Sequence, residues 1–572
     1  MKTANHRLWS RYRGIAAPYW YSEEKWRARG FLALLAALLL VQPGFAVLIN
    51  QETGEFTSAL AAGNRERFWA AVRWCVLWVC GAVPTYALYY LVRDLLGNHW
   101  RRWLTHRFLG RYLSHQKFYE LNAHIAIDNP DQRIAEDINT FTQKSLFFGL
   151  ILMGSLIQLT AFSRVLWSIS HELVYFLVLY ATLGTLITLW VFGKPLTLLN
   201  FRQLRREADL RFSLIRVREN AESIALYRGE EQEQQQVKHR FVSVFDNFNQ
   251  LIHRQFFLNL FQYAYSMLTL VLPSAIIAAH VLSGEMEVGR AVQAAGAFTA
   301  VLAAISLVVD NFESLTRFAA GVDRLDAFYQ TLQAPPRQAR PEDPVETIEG
   351  GEELRLENLT VQTPAPARVL LRRLSLAVEP GEGLMIVGPS GSGKSALLRT
   401  VTGLWASGGG RILRPAPQNM LFLPQQPYML LGGSLRNQLL YPQPERQIAD
   451  ADLLAMLEQV NLPDLAERCG GLGAELDWDK TLSVGEQQRL AFARLLLTAP
   501  RFAFLDEATS ALDLANEGRL YRALMATRTT PISVGHRASI LKYHAWVLEI
   551  QGEGRWQLIP APDYSFREQD GP

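Results

Sequence analysis

Cysteine is scarce, at three in 572 residues. Cys75 and Cys80 share one apolar stretch and Cys469 stands far away. No disulfide framework or metal-ligand spacing is visible, and packing is the role expected of all three. Net charge is scarce too: 57 Lys and Arg stand against 54 Asp and Glu, a formal +3. That excludes a global electrostatic pull toward nucleic acid, and no nucleic-acid partner is expected. A cleavable leader is missing. The first apolar run starts near Gly30, behind Lys25, Arg27 and Arg29; no small-residue cleavage site follows in the right place, and more apolar runs come after it. The stretch from Phe31 onward therefore reads as a retained membrane helix. Aromatic residues are absent between Glu353 and Gly388.

Apolar residues are plentiful. Hydrophobic residues make up 49% beside 19% charged ones, a mix that suits a chain partly in lipid and partly in water. A bilayer core of about 30 Å takes about 20 apolar residues in a helix. Six stretches qualify: Gly30–Asn50, Trp74–Val92, Ser145–Ser163 with a possible extension to Ile169, Leu173–Gly193, Phe256–Leu282 and Ala291–Val309. Pro84 and Pro273 fall inside two of them, which neighbouring helices or water can accommodate.

The connections orient the spans. Arg93–Lys144 carries Arg101, Arg102, Arg107, Arg111, Lys117 and Arg133. Lys194–Gln255 carries Arg202, Arg205, Arg206, Arg211, Arg216 and Arg218. The short loops between are poor in basic residues, with Arg65, Arg67, Arg73 and Arg164 as exceptions. The positive-inside rule puts both long segments and both termini in the cytoplasm. Their length implies helices continuing beyond the membrane. Asn129-Pro130-Asp131-Gln132 offers an N-cap, a proline at the first helical position and a glutamine able to close a capping box, so a helix starts at a loop tip there.

From Gln333 the chain turns rich in Pro and Glu, as an exposed, semi-rigid linker does. The pattern then becomes α/β, with Leu374–Val378 and Gly383–Val387 as strand candidates. The second runs into Gly388-Pro389-Ser390-Gly391-Ser392-Gly393-Lys394-Ser395, a full Walker A match ahead of a helical stretch, Ala396–Leu404. The amides of Gly388, Ser390, Gly391, Gly393 and Ala396 can cradle the phosphates of ATP at a helix N-terminus. Lys394 would neutralise the β- and γ-phosphates and Ser395 would hold Mg²⁺. Phe502-Ala503-Phe504-Leu505-Asp506-Glu507 is an apolar strand ending in two acids. Asp506 suits a second Mg²⁺ contact and Glu507 suits polarising the attacking water.

These pieces alone say P-loop nucleotidase. Leu482-Ser483-Val484-Gly485-Glu486-Gln487-Gln488-Arg489 says more, because it resembles the ABC signature, with Val484 where a glycine is usual. Ser483, Val484, Gly485 and Glu486 would meet the γ-phosphate of an ATP held by another subunit. The order continues: Gln425 matches the Q-loop, a catalytic and Mg²⁺ contact, Ser510-Ala511-Leu512-Asp513 the D-loop, and His536 the switch histidine beyond Pro531–Val534. The aromatic residue on which adenine commonly stacks upstream of Walker A is missing, with Thr363-Pro364 near its place. A stack of that kind contributes about 1–3 kcal/mol, so its absence bears on base selectivity and not on phosphate chemistry.

The whole chain, from Tyr12 to Pro560, resembles one branch of exporter-fold ABC half-transporters. The branch comprises SbmA/BacA-related bacterial transporters with a fused ATPase (YddA-like proteins) and the peroxisomal subfamily D fatty-acyl transporters. The stretches that carry the resemblance are Asn129–Ile134 with Asp137, Glu222–Tyr227 with Gly229-Glu230, Gly403-Leu404-Trp405, Leu423–Tyr428 and Trp478–Arg494. The resemblance implies an all-α six-helix transmembrane domain of exporter type fused to an α/β P-loop ABC ATPase domain. The expected divisions are a membrane domain over 1–332, a linker over 333–352, the nucleotide-binding domain over 353–562 and a tail over 563–572. The resemblance also implies ATP hydrolysis coupled to transport, a homodimer in a bacterial inner membrane, and cytoplasmic loop tips that seat on the ATPase near Gln425.

Polar side chains at helical spacing inside the spans bear on cargo. Asn259, Gln262, Ser266 and Thr269 form a stripe on the fifth span, and Gln293, Thr299 and Ser306 add to the sixth. Asn259, Gln262, Ser266 and Gln293 are the candidate lining of a wet cavity, since amides are costly against lipid; hydrogen bonding between helices is the alternative use. A hydrophilic peptide, antibiotic or corrinoid is the expected solute. A lipid or fatty-acyl cargo, or a cargo-free ATPase with a regulatory role, are the competing readings.

Overall fold

The computed structural model describes residues 2–123, 130–334, 345–363, 368–405 and 407–566, and it divides into two compact units, Met1–Ala334 and Pro335–Pro572. Among the described residues of the first, six helices are long and apolar enough to cross a membrane: Lys25–Ala61, Arg65–Leu113, Pro130–Ile169, His171–Glu219, Glu230–Leu282 and Val288–Leu307. Each carries one of the apolar stretches. The helix Arg65–Leu113 has 49 residues, about 74 Å at 1.5 Å per residue, so more than half of it extends past a bilayer core. Pro43, Pro84 and Pro273 all lie within continuous helices.

Two features hold the spans together. The first and sixth touch backbone to backbone: a Cβ on Gly289 would stand 1.9 Å from the Gly54 carbonyl oxygen. The Gly289 amide donates to Ser58 Oγ (3.0 Å) and Asn50 Nδ2 donates to the Gln293 carbonyl (3.1 Å). Small residues allow this approach, and the interhelical hydrogen bonds replace the hydrophobic drive that lipid cannot supply. Tyr180 and Tyr265 join the fourth and fifth spans, with stacked rings 4.3 Å apart. Each hydroxyl donates to the other's backbone carbonyl, at 2.6 and 3.0 Å. Arg67, an exception to the expected charge pattern, lies in the first turn of the helix Arg65–Leu113 and is neutralised by Glu55 (2.6 Å) and Glu287 (3.0 Å).

The segment ahead of the first span, noted in the sequence only for its basic residues, is a helix, Lys2–Trp20. Its Tyr19 is fully buried and stacks on Trp100 at 5.6 Å. Asn129 lies outside the described residues. The expected capping box falls with it, Pro130–Gln132 is helical, and Gln132 Nε2 donates to Glu136 at 3.1 Å. The turn that follows, Arg133–Asp137, is a π-helix.

Among its described residues the second unit holds ten strands: β1 Glu346–Glu349, β2 Leu354–Gln362, β3 Val369–Val378, β4 Leu384–Val387, β5 Gly408–Arg414, β6 Met420–Leu423, β7 Phe502–Asp506, β8 Thr530–Val534, β9 Trp546–Gly552 and β10 Arg555–Pro560. They form a four-stranded sheet in the order β1-β5-β2-β3 and a six-stranded sheet in the order β10-β9-β4-β8-β7-β6. From β9 to β6 the larger sheet is parallel. Its strands β4, β7 and β8 are almost wholly buried, which is why they read as unbroken apolar runs. The four residues of β1 fall within the segment 333–352 and pair in parallel with β5, Glu346 beside Arg411. All four are exposed, so no apolar alternation marked them. Tyr564 and Phe566, assigned to the tail, pack against the ATPase core.

Candidate functional site

The larger sheet delivers its chemistry at the carboxyl ends of its central strands, where ligands of parallel α/β sheets sit. Buried β4 ends at Val387, and the glycine-rich loop leads into the helix Lys394–Val401. Gly388 cannot be replaced: its φ is +147°, and a Cβ there would stand 2.3 Å from the Ile550 carbonyl oxygen. The loop wraps the Lys394 ammonium, which donates to the carbonyls of Gly388 (2.7 Å) and Pro389 (3.0 Å). Burial holds that ammonium below the ordinary lysine value, opposed by the charges of Glu507 and Asp506. Ser392 Oγ is buried with no hydrogen-bond partner among the described residues.

Strand β7 pairs with β8 and brings two carboxylates to the same edge. Ser395 Oγ donates to Asp506 Oδ1 at 3.2 Å. Burial pushes the Asp506 carboxyl up from its ordinary value, against the Ser395 hydrogen bond, and the Glu507 charge adds to the rise. Glu507 leaves the strand with φ +48°, a left-handed conformation rare for a non-glycine residue that costs about 1–3 kcal/mol. Two groups hold its carboxylate: Gln425 Nε2 donates to Oε2 at 3.0 Å, and His536 Nε2 lies 3.6 Å from Oε1. Gln425, Glu507 and His536, widely spaced in the chain, thus meet at one point beside Ser395 and Asp506.

Ser483 is the N-cap of the helix Val484–Thr498 in a full capping box, its Oγ accepting from the Glu486 amide and its own amide donating to Glu486 Oε2 at 2.9 Å. Glu486 also pairs with Arg468 (2.5 Å). Val484 is exposed, and Gly485 lies against Ala511. Asp513 caps the helix Leu514–Ala526 by accepting from the Asn516 amide at 2.7 Å. Among the described residues no hydrogen bond joins Ser483–Glu486 to the phosphate loop.

Two side chains that sequence reasoning passed over tie these pieces together. Gln488, 1% exposed, donates to the Gln425 carbonyl and to Ser510 Oγ (both 3.2 Å) and accepts from the Ala511 amide (3.1 Å). It links the Q-loop, the D-loop and the signature helix. Arg494, one turn and a half further on, donates to the carbonyls of Gln438 and Tyr428 (both 2.6 Å), and burial pushes its guanidinium down to about 10. Polar residues recurring on the inner face of an otherwise apolar helix were the available signal.

Of the proposed cavity residues, Gln293 is buried in the contact between first and sixth spans, and Asn259 accepts from Gln255 on its own helix (3.2 Å). The side chains of Gln262 and Ser266 have no hydrogen-bond partner among the described residues, and Ser266 is exposed. Thr269 and Thr299 bond their own helix backbones. At Thr363, the hydroxyl accepts from the Arg368 amide (2.8 Å), and Pro364 lies outside the described residues.

Comparison with known proteins agrees with this architecture. Residues 16–282 match the ABC transporter transmembrane region 2 and residues 371–510 match the ABC transporter ATPase family. An uncharacterized ABC transporter ATP-binding protein of Synechocystis sp. is 46% identical, covering 94% of this chain and 82% of its own. A chloroplastic ABC transporter D family member of Arabidopsis thaliana is 39% identical, covering 96% and 88%. The lysosomal cobalamin transporter of Homo sapiens is 32% identical, covering 82% of each. Among solved structures, a bacterial Atm1-family ABC exporter with ATP bound superposes with a TM-score of 0.74 at 19% identity, covering 94% and 96%, which establishes the exporter fold. A six-span membrane region, an ATPase domain and relatives matched over most of their length together place the chain in the ABC transporter family, as a multi-span half-transporter of the D-subfamily-like branch that couples ATP hydrolysis to transport.

Proposed function

We propose that two copies of this chain form an ATP-driven transporter in a bacterial inner membrane, with the ATPase domains and both long helical extensions in the cytoplasm. The observation that carries the dimer is the separation of the phosphate loop from the signature: one chain holds one of each, unjoined, so a complete site needs a second chain. In that site the loop amides, Ser390 and Lys394 bind the phosphates, and Ser483 with the Gly485 amide closes over them from the other subunit. Glu507 orients the attacking water and takes up its proton as the bond to the γ-phosphorus forms and ADP leaves; Gln425 and His536 hold its carboxylate in place. The oxygens of Ser395 and Asp506, with the Gln425 amide carbonyl, are a hard donor set that fits Mg²⁺. When bound, that ion supplies charge neutralisation at the β- and γ-phosphates. The helix Ala221–Tyr227 presents exposed Leu226 and Tyr227 at an extension tip.

Mixing tests the dimer. Lys394→Ala and Ser483→Arg should each abolish hydrolysis alone. Co-expressed, and assayed at an ATP concentration too low for Lys394→Ala to bind, they should recover about a quarter of the wild-type rate, because half the dimers then hold one intact composite site. No recovery in purified mixed dimers would overturn the assignment.

For the solute we infer a hydrophilic peptide, antibiotic or corrinoid, supported by the unpartnered Gln262 and Ser266 on the fifth span and by a cobalamin transporter among the relatives. In reconstituted vesicles such solutes should stimulate the ATPase and be carried. Replacing Gln262 and Asn259 by leucine should weaken that response about tenfold. Stimulation by long-chain acyl groups with none by polar solutes would transfer the reading to a lipid cargo.

A further inference from the structure

We propose that a pocket of about 470 Å³ between the second and third spanning helices binds the phosphate headgroup of an anionic phospholipid. Its depth in the membrane is set by the sequence. The apolar stretch of the second span ends at Val92 and Arg93 follows; that of the third begins at Ser145, directly after Lys144. Both helices therefore pass from lipid to water at the pocket. On the second, Arg93, Asp94, Gly97, Asn98 and Arg101 share one face at spacings of three to four residues.

Charge selects the ligand. Arg93, Arg101 and Lys144 line the pocket with Asp94 as the one carboxylate among its lining residues. Asp94 is engaged by Arg93 at 2.9 Å. No described carboxylate pairs with Arg101 or Lys144. Three other cations of this unit do have carboxylate partners: Arg102 with Glu24, Arg324 with Asp137 and Lys117 with Glu120. The amide groups of Asn98 and Asn139 add donors beside Arg101 and Lys144, as does the second N–H of Gln143, whose Nε2 also donates to Asn139 Oδ1 at 3.1 Å. An excess of two positive charges with amide donors suits a phosphodiester.

Shape separates a lipid from a free anion. The helices close together at Gly97, where a Cβ would meet Leu146 at 3.6 Å. Buried Leu146 and the half-buried ring of Phe147, over which Lys144 lies at 5.1 Å, give the pocket an apolar wall. Such a wall suits the glycerol and first acyl carbons of a lipid and contributes nothing to inorganic phosphate. Assignment to the cytoplasmic leaflet rests on the orientation proposed above; binding itself does not.

The test uses the full-length protein in neutral detergent, with phosphatidylglycerol and phosphatidylcholine offered together and retained lipid counted by native mass spectrometry. Phosphatidylglycerol should be retained selectively. The double variant Arg101→Gln, Lys144→Gln should lose about 25-fold in affinity, about fivefold for each charge near a membrane surface. Asp94→Asn should tighten retention, and Arg102→Gln, whose cation is already paired, should leave it unchanged. Inorganic phosphate should not displace the lipid. Equal retention by the double variant, or full displacement by inorganic phosphate, would overturn the proposal. Melting temperatures recorded alongside identify a variant that fails to fold; in that case Asp94→Asn and single Lys144→Gln decide the matter by moving retention in opposite directions.

Discussion

Glu507→Gln should lower ATP hydrolysis by about 10²–10⁴-fold while ATP still binds. The substitution keeps the shape of the side chain and removes its capacity to take a proton. The left-handed backbone at Glu507 and the hydrogen bond from its amide to the Val534 carbonyl (3.1 Å) do not depend on the carboxylate, so the strand end stays in place. Gln425 and His536 lose a charged partner, but both are exposed enough to find water. Nucleotide should therefore accumulate unhydrolysed, and the protein should be trapped as a closed dimer, visible as a faster-eluting species in ATP. Turnover within about threefold of wild type would remove Glu507 from the catalytic role.

Lys394→Ala acts at an earlier step. It should weaken ATP binding by about 10–100-fold, the worth of one or two hydrogen bonds to a charged group. Lys394 is 8% exposed, and its ammonium donates to two carbonyls of its own loop. Among the described residues its ammonium has no other hydrogen bond or ion pair, so its loss should cost the fold little. Titration calorimetry with a non-hydrolysable nucleotide should show weakened affinity at an unchanged melting temperature without nucleotide. A variant that binds normally and fails only in hydrolysis would reverse the roles given to Lys394 and Glu507.

Spacing and composition alone determined much of this protein. Six apolar runs of bilayer length needed no tertiary information, because a span must satisfy its backbone within itself and therefore carries a continuous local signal. The buried strands β4 and β7 and the glycine-rich loop were legible for a similar reason: they are contiguous, and Gly388 answers to a backbone constraint that only glycine meets. Strand β1 was not legible, since its four residues are exposed and its pairing with β5 is a contact between segments some sixty residues apart. The helix Lys2–Trp20 hid in the same way, its reason for folding being the distant Trp100.

Only the tertiary structure decided how the site is wired. The sequence names Gln425, Glu507 and His536 as separate motifs; the fold brings their side chains to one carboxylate and sets Glu507 in a strained backbone that no motif records. Gln488 and Arg494 look like interruptions of an apolar face until their partners are seen, since a buried polar group is stabilising only through bonds that sequence distance conceals. In the membrane, the same amide chemistry has opposite uses: Gln293 is spent in packing between two spans while Gln262 remains free. Helical spacing places a residue on a face, and only the neighbouring helix decides whether that face meets protein, lipid or cargo.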